Sequence, residues 1–291
     1  MNTINKRYYP NYFIIPSMLI FFAFFVAPTI LGFFMAFTDY NVFKSGMRFT
    51  GLKNFIYLFD HPQFQTAFKN TILFAFFTTI LKSLFGLLLA LLLVKKLFAG
   101  SLIKTIFYMP AILSPIIVAV MFQAVFRLDG LLNNLLHSLR LDLIIQDWMG
   151  QSSTVLGTVI TAEVWKWSGF NMAIFIAGLQ AIPVSYYEAA AIDGASFFSS
   201  FKNITLPLLM PAVTVNMTLN FIGGLKVFEQ VLGMTAGGPG YASQVISTLV
   251  YRVYGQGYYG RSAAMGMVQI LTTLIMGILM YKTFSRKEVE A

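Results

Sequence analysis

The chain has 291 residues, of which 57% are hydrophobic and only 11% charged, a balance that excludes an ordinary soluble domain. It contains no cysteine, which excludes a disulfide framework and a thiolate metal site. A net charge of +9 on so apolar a chain points to loops facing anionic lipid rather than to nucleic acid.

A bilayer-spanning helix needs ~20 mostly apolar residues. Six stretches qualify: 11–38, 70–94, 103–126, 154–182, 208–232 and 263–281. The expected fold is therefore all-α and polytopic, with six transmembrane helices. Ahead of the first, Lys6-Arg7-Tyr8-Tyr9-Pro10 reads as an inner-leaflet anchor, and the stretch itself is too long for a signal-peptide core. The loop 39–69 follows, with Gly51-Leu52-Lys53-Asn54-Phe55; it is too short to hold an inserted domain. The second span opens on Asn70-Thr71 and carries Lys82. Thr78, Lys82, Ser83, Gly86 and Ala90 share one of its faces. A lysine facing lipid would cost ~2.5–3.5 kcal/mol, so Lys82 is expected to face protein or water.

The third span has Lys104 at its edge and Tyr108-Met109-Pro110 near its start. Gly130-Leu131-Leu132-Asn133 lies beyond it, in a loop with a helix expected over 131–139. His61 and His137 fall in separate loops without an acidic cluster, so neither a metal site nor a catalytic one is expected. The fourth span contains Glu163-Val164-Trp165-Lys166-Trp167-Ser168-Gly169-Phe170, and an indole face can stack on a pyranose while its N–H donates. The fifth ends Asn220-Phe221-Ile222-Gly223-Gly224-Leu225-Lys226-Val227-Phe228-Glu229, followed by Thr235-Ala236-Gly237-Gly238-Pro239, an obligatory tight turn. Glu163 and Lys166, and Lys226 and Glu229, are each three residues apart, a spacing that puts opposite charges on one helix face. Counted from the span edges, both pairs come out at one depth, and the expectation is that they line the outer part of a cavity. The loop 241–262 is rich in tyrosine, the tail 282–291 is charged, and no repeat is visible, so one domain over 1–291 is expected.

Between the fourth and fifth spans lies Tyr186 to Pro211, YYEAAAIDGASFFSSFKNITLPLLMP. Glu188 to Asp193 reads as a short helix that Pro183 can start, with Glu188 near its N-terminus. Gly194 supplies the turn. Phe197, Phe198, Phe201 and Ile204 then recur at helical spacing.

Glu188-Ala189-Ala190, Asp193-Gly194, Ile204 and Leu206-Pro207 resemble the EAA loop of the membrane subunits of binding-protein-dependent ABC importers. The resemblance covers about residues 50–285. The short motifs at 51, 108 and 130 and the T-x-G-G-P at 235 are similar to those of the carbohydrate-type first permease. It implies that the 186–207 loop is cytoplasmic and couples to an ATPase, which gives an N-in, C-in topology. Charge alone decides little: nine basic residues (Lys6, Arg7, Lys95, Lys96, Lys104, Lys202, Lys282, Arg286, Lys287) would lie inside. Eight (Lys44, Arg48, Lys53, Lys69, Arg127, Arg140, Arg252, Arg261) would lie outside.

The resemblance further implies a second homologous permease, two cytoplasmic ATPase subunits that hold ATP and Mg, an extracytoplasmic solute-binding protein, and a bacterial plasma membrane. This chain has no phosphate-binding lysine loop, so no cofactor of its own is expected. By the same resemblance, and with the charge pairs added, the substrate path is expected at Trp165, Lys166, Trp167, Gly169, Asn220, Gly224, Lys226, Phe228 and Glu229. Met172 departs from the maltose-type pattern, which has an aromatic there, and Gly224 and Val227 stand where that pattern is polar. The solute is expected to be a sugar or oligosaccharide, alternatively glycerol phosphate. A secondary transporter would need midplane acids or an inverted repeat, and a membrane enzyme a cluster of catalytic side chains; neither pattern is present.

Overall fold

The computed structural model describes residues 11–43, 46–95 and 98–286. The expected anchor at 6–10, Lys44, Lys96 and the end of the charged tail lie outside them. The described residues are nearly all helical, with one isolated β-bridge between Thr38 and Phe49. The helices are α1 (Tyr12–Ala36), α2 (Lys53–Asp60), α3 (Pro62–Leu93), α4 (Gly100–Ile112), α5 (Pro115–Phe126), α6 (Leu131–Ser138), α7 (Val155–Gln180), α8 (Val184–Ile192), α9 (Phe197–Leu208), α10 (Met210–Leu225), α11 (Glu229–Thr235), α12 (Ile246–Gly255) and α13 (Tyr259–Ser285).

Four helical stretches are long and apolar enough to cross a bilayer: α1, α3, α5 with α6 (Pro115–Ser138) and α13. Two bent pairs, α7 with α8 and α9 with α10, raise the number to as many as six where each pair counts as one span. Two expected spans differ in course. The third is not one helix over 103–126, because the chain is extended at Leu113 and Ser114 (ψ 145° and 137°) between α4 and α5. The cause is Pro115, whose ring disfavours helix at the residue before it. The fifth ends at Leu225 rather than 232; residues 226–228 leave the helix before α11 begins. In the other direction α3 starts eight residues before the expected Asn70, because Pro62 can occupy a first helical turn and the polar residues after it do not interrupt a helix.

Two π-turns, Phe22–Val26 and Phe201–Thr205, each end two residues before a proline, Pro28 and Pro207. Proline has no N–H to donate and its ring crowds the carbonyl four residues back, so a widened turn relieves both conflicts.

The chain packs as two units, Met1–His61 with Val250–Val268, and Pro62–Leu249 with Gln269–Ala291. In the second, α3 is central. It packs on α7 and α10, while α4 lies on α7 and α5 on α11. Phe74, Ala119, Val159, Ala162, Val231 and Met234 form one buried cluster; Ala90, Met172, Phe175, Leu179 and Leu209 form another. The expected stripe of α3, Thr78 through Ala90, is buried. Its opposite side exposes Phe76, Phe77, Ile80, Leu84, Phe85 and Leu88. Large apolar side chains outside and polar ones inside are what a lipid solvent selects.

Glycines set the closest approaches in this unit. A Cβ on Gly86 would strike Asn171 of α7, and one on Gly224 would strike Ala75 of α3. Two motifs far apart in sequence meet at one end of α3. The Asn70 amide donates to the carbonyls of Ala242 (2.9 Å) and Gln244 (3.0 Å), and the Thr71 hydroxyl accepts the N–H of Ile246 (3.0 Å). They hold the loop that follows T-x-G-G-P. Within that turn Gly237 has φ +86°, its N–H donates to Thr235 Oγ1 (3.2 Å), and Thr235 Oγ1 pairs with Ser243 Oγ (2.7 Å).

In the first unit, Gly51 turns the chain with φ +60° and the buried Asn54 amide donates to the carbonyls of Ala36 (2.8 Å) and Thr38 (2.7 Å). These include the last carbonyl of α1, which has no partner within its own helix. The G-L-K-N-F loop is therefore a cap for α1.

Candidate functional site

Helices α3, α7 and α10, with the 226–230 segment, enclose a cavity of about 670 Å³. Lys82, Glu163, Trp167, Asn220, Lys226, Phe228, Glu229 and Gln230 line it, with Pro115 at the start of α5. Lys82 Nζ forms an ion pair with Glu163 Oε1 at 2.8 Å, their side chains 3% and 10% exposed. Lys226 and Glu229 are both exposed. The Asn220 amide donates to Asn171 Oδ1 (2.5 Å) and Ser83 Oγ (3.4 Å), which ties α10 to α7 and α3. Trp167 stands edge-on to Phe170 with ring centroids 5.7 Å apart, leaving an aromatic wall. Gln230 is buried, and its Oε1 has no hydrogen-bond partner among the described residues.

The cavity brings together Trp167, Asn220, Lys226, Phe228 and Glu229 of the expected path, and adds Lys82, Glu163 and Gln230. The other four lie elsewhere. Trp165 faces outward and packs edge-on against Phe122 (5.3 Å). Gly169 is a packing position, where a Cβ would meet the Phe107 carbonyl of α4; Gly224 plays the same part against α3. Lys166 is 1% exposed and donates to the carbonyls of Pro110 (3.4 Å), Ala111 (3.0 Å) and Leu113 (2.6 Å). Its ammonium thus caps the broken end of α4, and it lies 4.5 Å from the Trp167 ring centroid.

Neither expected charge pairing within a helix occurs among the described residues. Glu163 reaches across to Lys82 instead of along α7 to Lys166. Lys226 caps α10 while Glu229 begins α11, so the two do not share a helix face.

The second feature is the hairpin α8–α9. It leaves α7 at a 67° bend and enters α10 at 66°. Gly194 turns it with φ +75° and open space around its Cα. Gly194 N–H donates to Ala191 O (3.1 Å) and Ala195 N–H to Ala190 O (2.9 Å), the Schellman closure. The Tyr187 hydroxyl meets Thr205 Oγ1 at 3.0 Å and joins the two arms. Ala190 is buried and Ile204 and Pro207 half-buried, whereas Glu188, Ala189, Asp193 and Leu206 are exposed. Tyr186, Ile192, Phe197 and Phe198 are exposed as well. Glu188 is not at the helix start: α8 begins at Val184, no acidic residue stands in its first turn, and the favourable helix-dipole position expected for Glu188 is absent.

Residues 82–287 match the family described as "Binding-protein-dependent transport system inner membrane component". The chain is 31% identical over 285 residues to a probable ABC transporter permease protein, YurN, of Bacillus subtilis, covering 97% of each. It is 34% identical over 235 residues to the trehalose/maltose transport system permease protein MalF of Thermococcus litoralis, covering 80% of this chain and 79% of that one. It also resembles a chain in the crystal structure of a bacterial alginate ABC transporter in complex with alginate pentasaccharide-bound periplasmic protein. There the TM-score is 0.80 and the identity 27%, with 95% of this chain and 94% of that chain covered.

Proposed function

We propose a role that proceeds from the family: the chain belongs to the binding-protein-dependent transport system inner membrane components. It is a multi-pass inner-membrane protein and a transport permease, not an enzyme. Its role is that of one permease subunit of an ATP-driven importer, with a sugar or oligosaccharide as the solute.

The observation that carries the substrate class is the chemistry of the 670 Å³ cavity. Its charges sum to zero: Lys82 is paired with Glu163, and Lys226 and Glu229 line the cavity with opposite signs but without an ion pair between them among the described residues. Its remaining polar groups are the amides of Asn220 and Gln230, and one wall is the indole of Trp167. Amides and paired charges exchange hydrogen bonds with hydroxyls, and an indole covers the apolar face of a sugar ring. A phosphate would want net positive charge, which this lining does not offer. The names of the trehalose/maltose and alginate relatives support the same class.

The hairpin supplies the coupling. Its exposed tip carries Tyr186, Ile192, Phe197 and Phe198, apolar surface that suits burial in a partner. Glu188 and Asp193 add negative charge there, and Ile204, Leu206 and Pro207 form the return arm. The two sharp bends, in and out, would carry a push on the hairpin into α7 and α10, both of which line the cavity. The partners on this reading are two cytoplasmic ATPase subunits carrying ATP and Mg, a second permease and an extracytoplasmic solute-binding protein. On this reading the hairpin faces the ATPases, and with six spans the topology is N-in and C-in. The family match runs through both packing units, which supports one transmembrane domain.

The test is uptake in cells expressing the assembled importer. Trp167→Ala is expected to reduce sugar uptake at least tenfold with solute affinity of the binding protein unchanged. Trp167→Phe retains part of the uptake, and Trp165→Ala is near wild type. Equal uptake in all three at equal membrane level would reject the cavity as the path.

A further inference from the structure

We infer that the first unit carries a binding site for the phosphate headgroup of an anionic phospholipid, built by Arg261, Lys53 and a ring of aromatic side chains. A pocket of about 560 Å³ lies between the α1–α2 loop, α2 and the start of α13. Arg261 lines it with its guanidinium carbon 3.9 Å from the Tyr57 ring centroid and 5.1 Å from that of Tyr258. Two aromatic faces thus fix the plane of the guanidinium and leave its N–H edge for a ligand.

The pocket's other polar groups are largely committed. Asn54 donates to the carbonyls of Ala36 and Thr38, Thr50 donates to Phe37 O, and Asn41 Oδ1 accepts from Phe43 N–H. Asp39, the one carboxylate of the lining, accepts from Arg48 N–H at 2.9 Å. Among the described residues no carboxylate lies within ion-pair distance of Arg261 or Lys53. The donors left over are the Lys53 ammonium, the Arg261 guanidinium and the phenolic hydroxyls of Tyr40, Tyr57 and Tyr258, and two cations face one engaged carboxylate. Such a site selects an anion, and a planar fork beside an ammonium suits a phosphate.

Its level identifies the source of that phosphate. The pocket begins at Thr38, two residues after α1 ends, and includes Tyr258 and Arg261, where α13 begins. Gly260 N–H donates to Tyr40 O at 2.9 Å, holding these two ends of spanning helices at one height. That height is the boundary of the hydrocarbon, where headgroups lie. Lys53 and Tyr57, four residues apart on α2, face the pocket, while Leu52 at its N-cap and Ile56 within it are each 62% exposed. An amphipathic helix with a bare apolar edge beside a cationic pocket lies in the interface and matches a lipid, chains along the edge and phosphate in the pocket. The inference rests on α1 and α13 spanning the membrane, not on the solute proposed above.

The experiment is native mass spectrometry of the assembled importer in detergent, titrated with phosphatidylglycerol, with phosphatidylcholine and with inorganic phosphate. Phosphatidylglycerol is expected to bind as a discrete adduct well above phosphatidylcholine, and millimolar inorganic phosphate should not displace it. The double change Lys53→Met with Arg261→Met weakens phosphatidylglycerol about thirtyfold, about five- to sixfold per charge. Arg261→Lys, which keeps the charge but loses the stacked planar fork, retains only part of the affinity. Equal retention of both lipids by the wild type, or competition by inorganic phosphate, overturns the inference without any variant. If the double variant keeps its lipid but loses stimulation by the solute-binding protein, the pocket takes a protein carboxylate and the lipid assignment fails. Loss of sugar uptake alone in cavity variants would leave these readouts unmoved.

Discussion

Breaking the Lys82–Glu163 pair tests whether two charges at membrane depth are held by each other. At 2.8 Å and an effective dielectric of about 20, their attraction is ~6 kcal/mol. Removing both from water costs several kcal/mol per ion, so the pair as a whole contributes little net stability. The large effect comes from removing one partner and leaving the other buried, ~3–5 kcal/mol. Both side chains border the cavity, where water can reach the orphaned group, so the lower end, ~3 kcal/mol, is expected for Lys82→Met and for Glu163→Met. The double change Lys82→Met with Glu163→Met should cost less than either single change, ~1 kcal/mol. Graded SDS unfolding in bicelles measures all four proteins, and the cycle should show a coupling of at least ~3 kcal/mol. Ordinary hydrogen bonds between transmembrane helices couple by ~0.6 kcal/mol on average. A coupling of that size, or additive single changes, would refute the argument that the charges are mutually dependent. Uptake by the double variant separates stability from transport: folded protein with lost uptake means the charges also meet the solute.

Lys166→Met removes three charge-assisted hydrogen bonds to the end of α4 and leaves those carbonyls buried, so a loss of ~2–4 kcal/mol in the same unfolding assay is expected, with the Trp167 fluorescence environment altered; an unchanged midpoint would show that water replaces the ammonium. At Gly194 any side chain has room but must adopt φ +75°, so Gly194→Leu should cost only ~1 kcal/mol in stability while abolishing uptake and weakening ATPase association; normal uptake at normal membrane level would sink the coupling role.

Much of the architecture is written in the chain's apolar runs, because lipid demands long uninterrupted helices whose polar groups turn inward. The stripe Thr78 to Ala90 on α3 follows from helical period alone, and it is buried. Two breaks were less visible. Ser114-Pro115 sits inside a run that hydropathy reads as continuous, yet the pre-proline restriction divides it into α4 and α5. Past Gly223-Gly224, apolar residues continue to Leu232, but Lys226 caps the helix there. Hydropathy measures solvent preference, and it does not register a local backbone conflict. Pro183 marks the entry of α8 in the sequence, and the helix begins at Val184 directly after it, one turn ahead of the Glu-Ala-Ala run that propensity favours.

The site was legible in residue type and not in partnership. Spacing within a helix fixes azimuth, so Glu163 and Lys166 could be placed on one face, but it says nothing of the register between helices. That register is set where small residues let backbones close. Gly86 admits Asn171, Gly224 admits Ala75, and Gly169 admits the Phe107 carbonyl. With α3 and α7 drawn this near, Lys82 reaches Glu163 across 81 positions of sequence. The close approach of α4 then offers Lys166 a set of unpaired carbonyls at a better geometry than a carboxylate one turn away. Gly169 and Gly224, expected on the solute path, are packing positions instead: with Gly86 they fix the register that brings Lys82 to Glu163, while Lys226 and Glu229, with no ion pair to each other among the described residues, stay exposed beside the cavity.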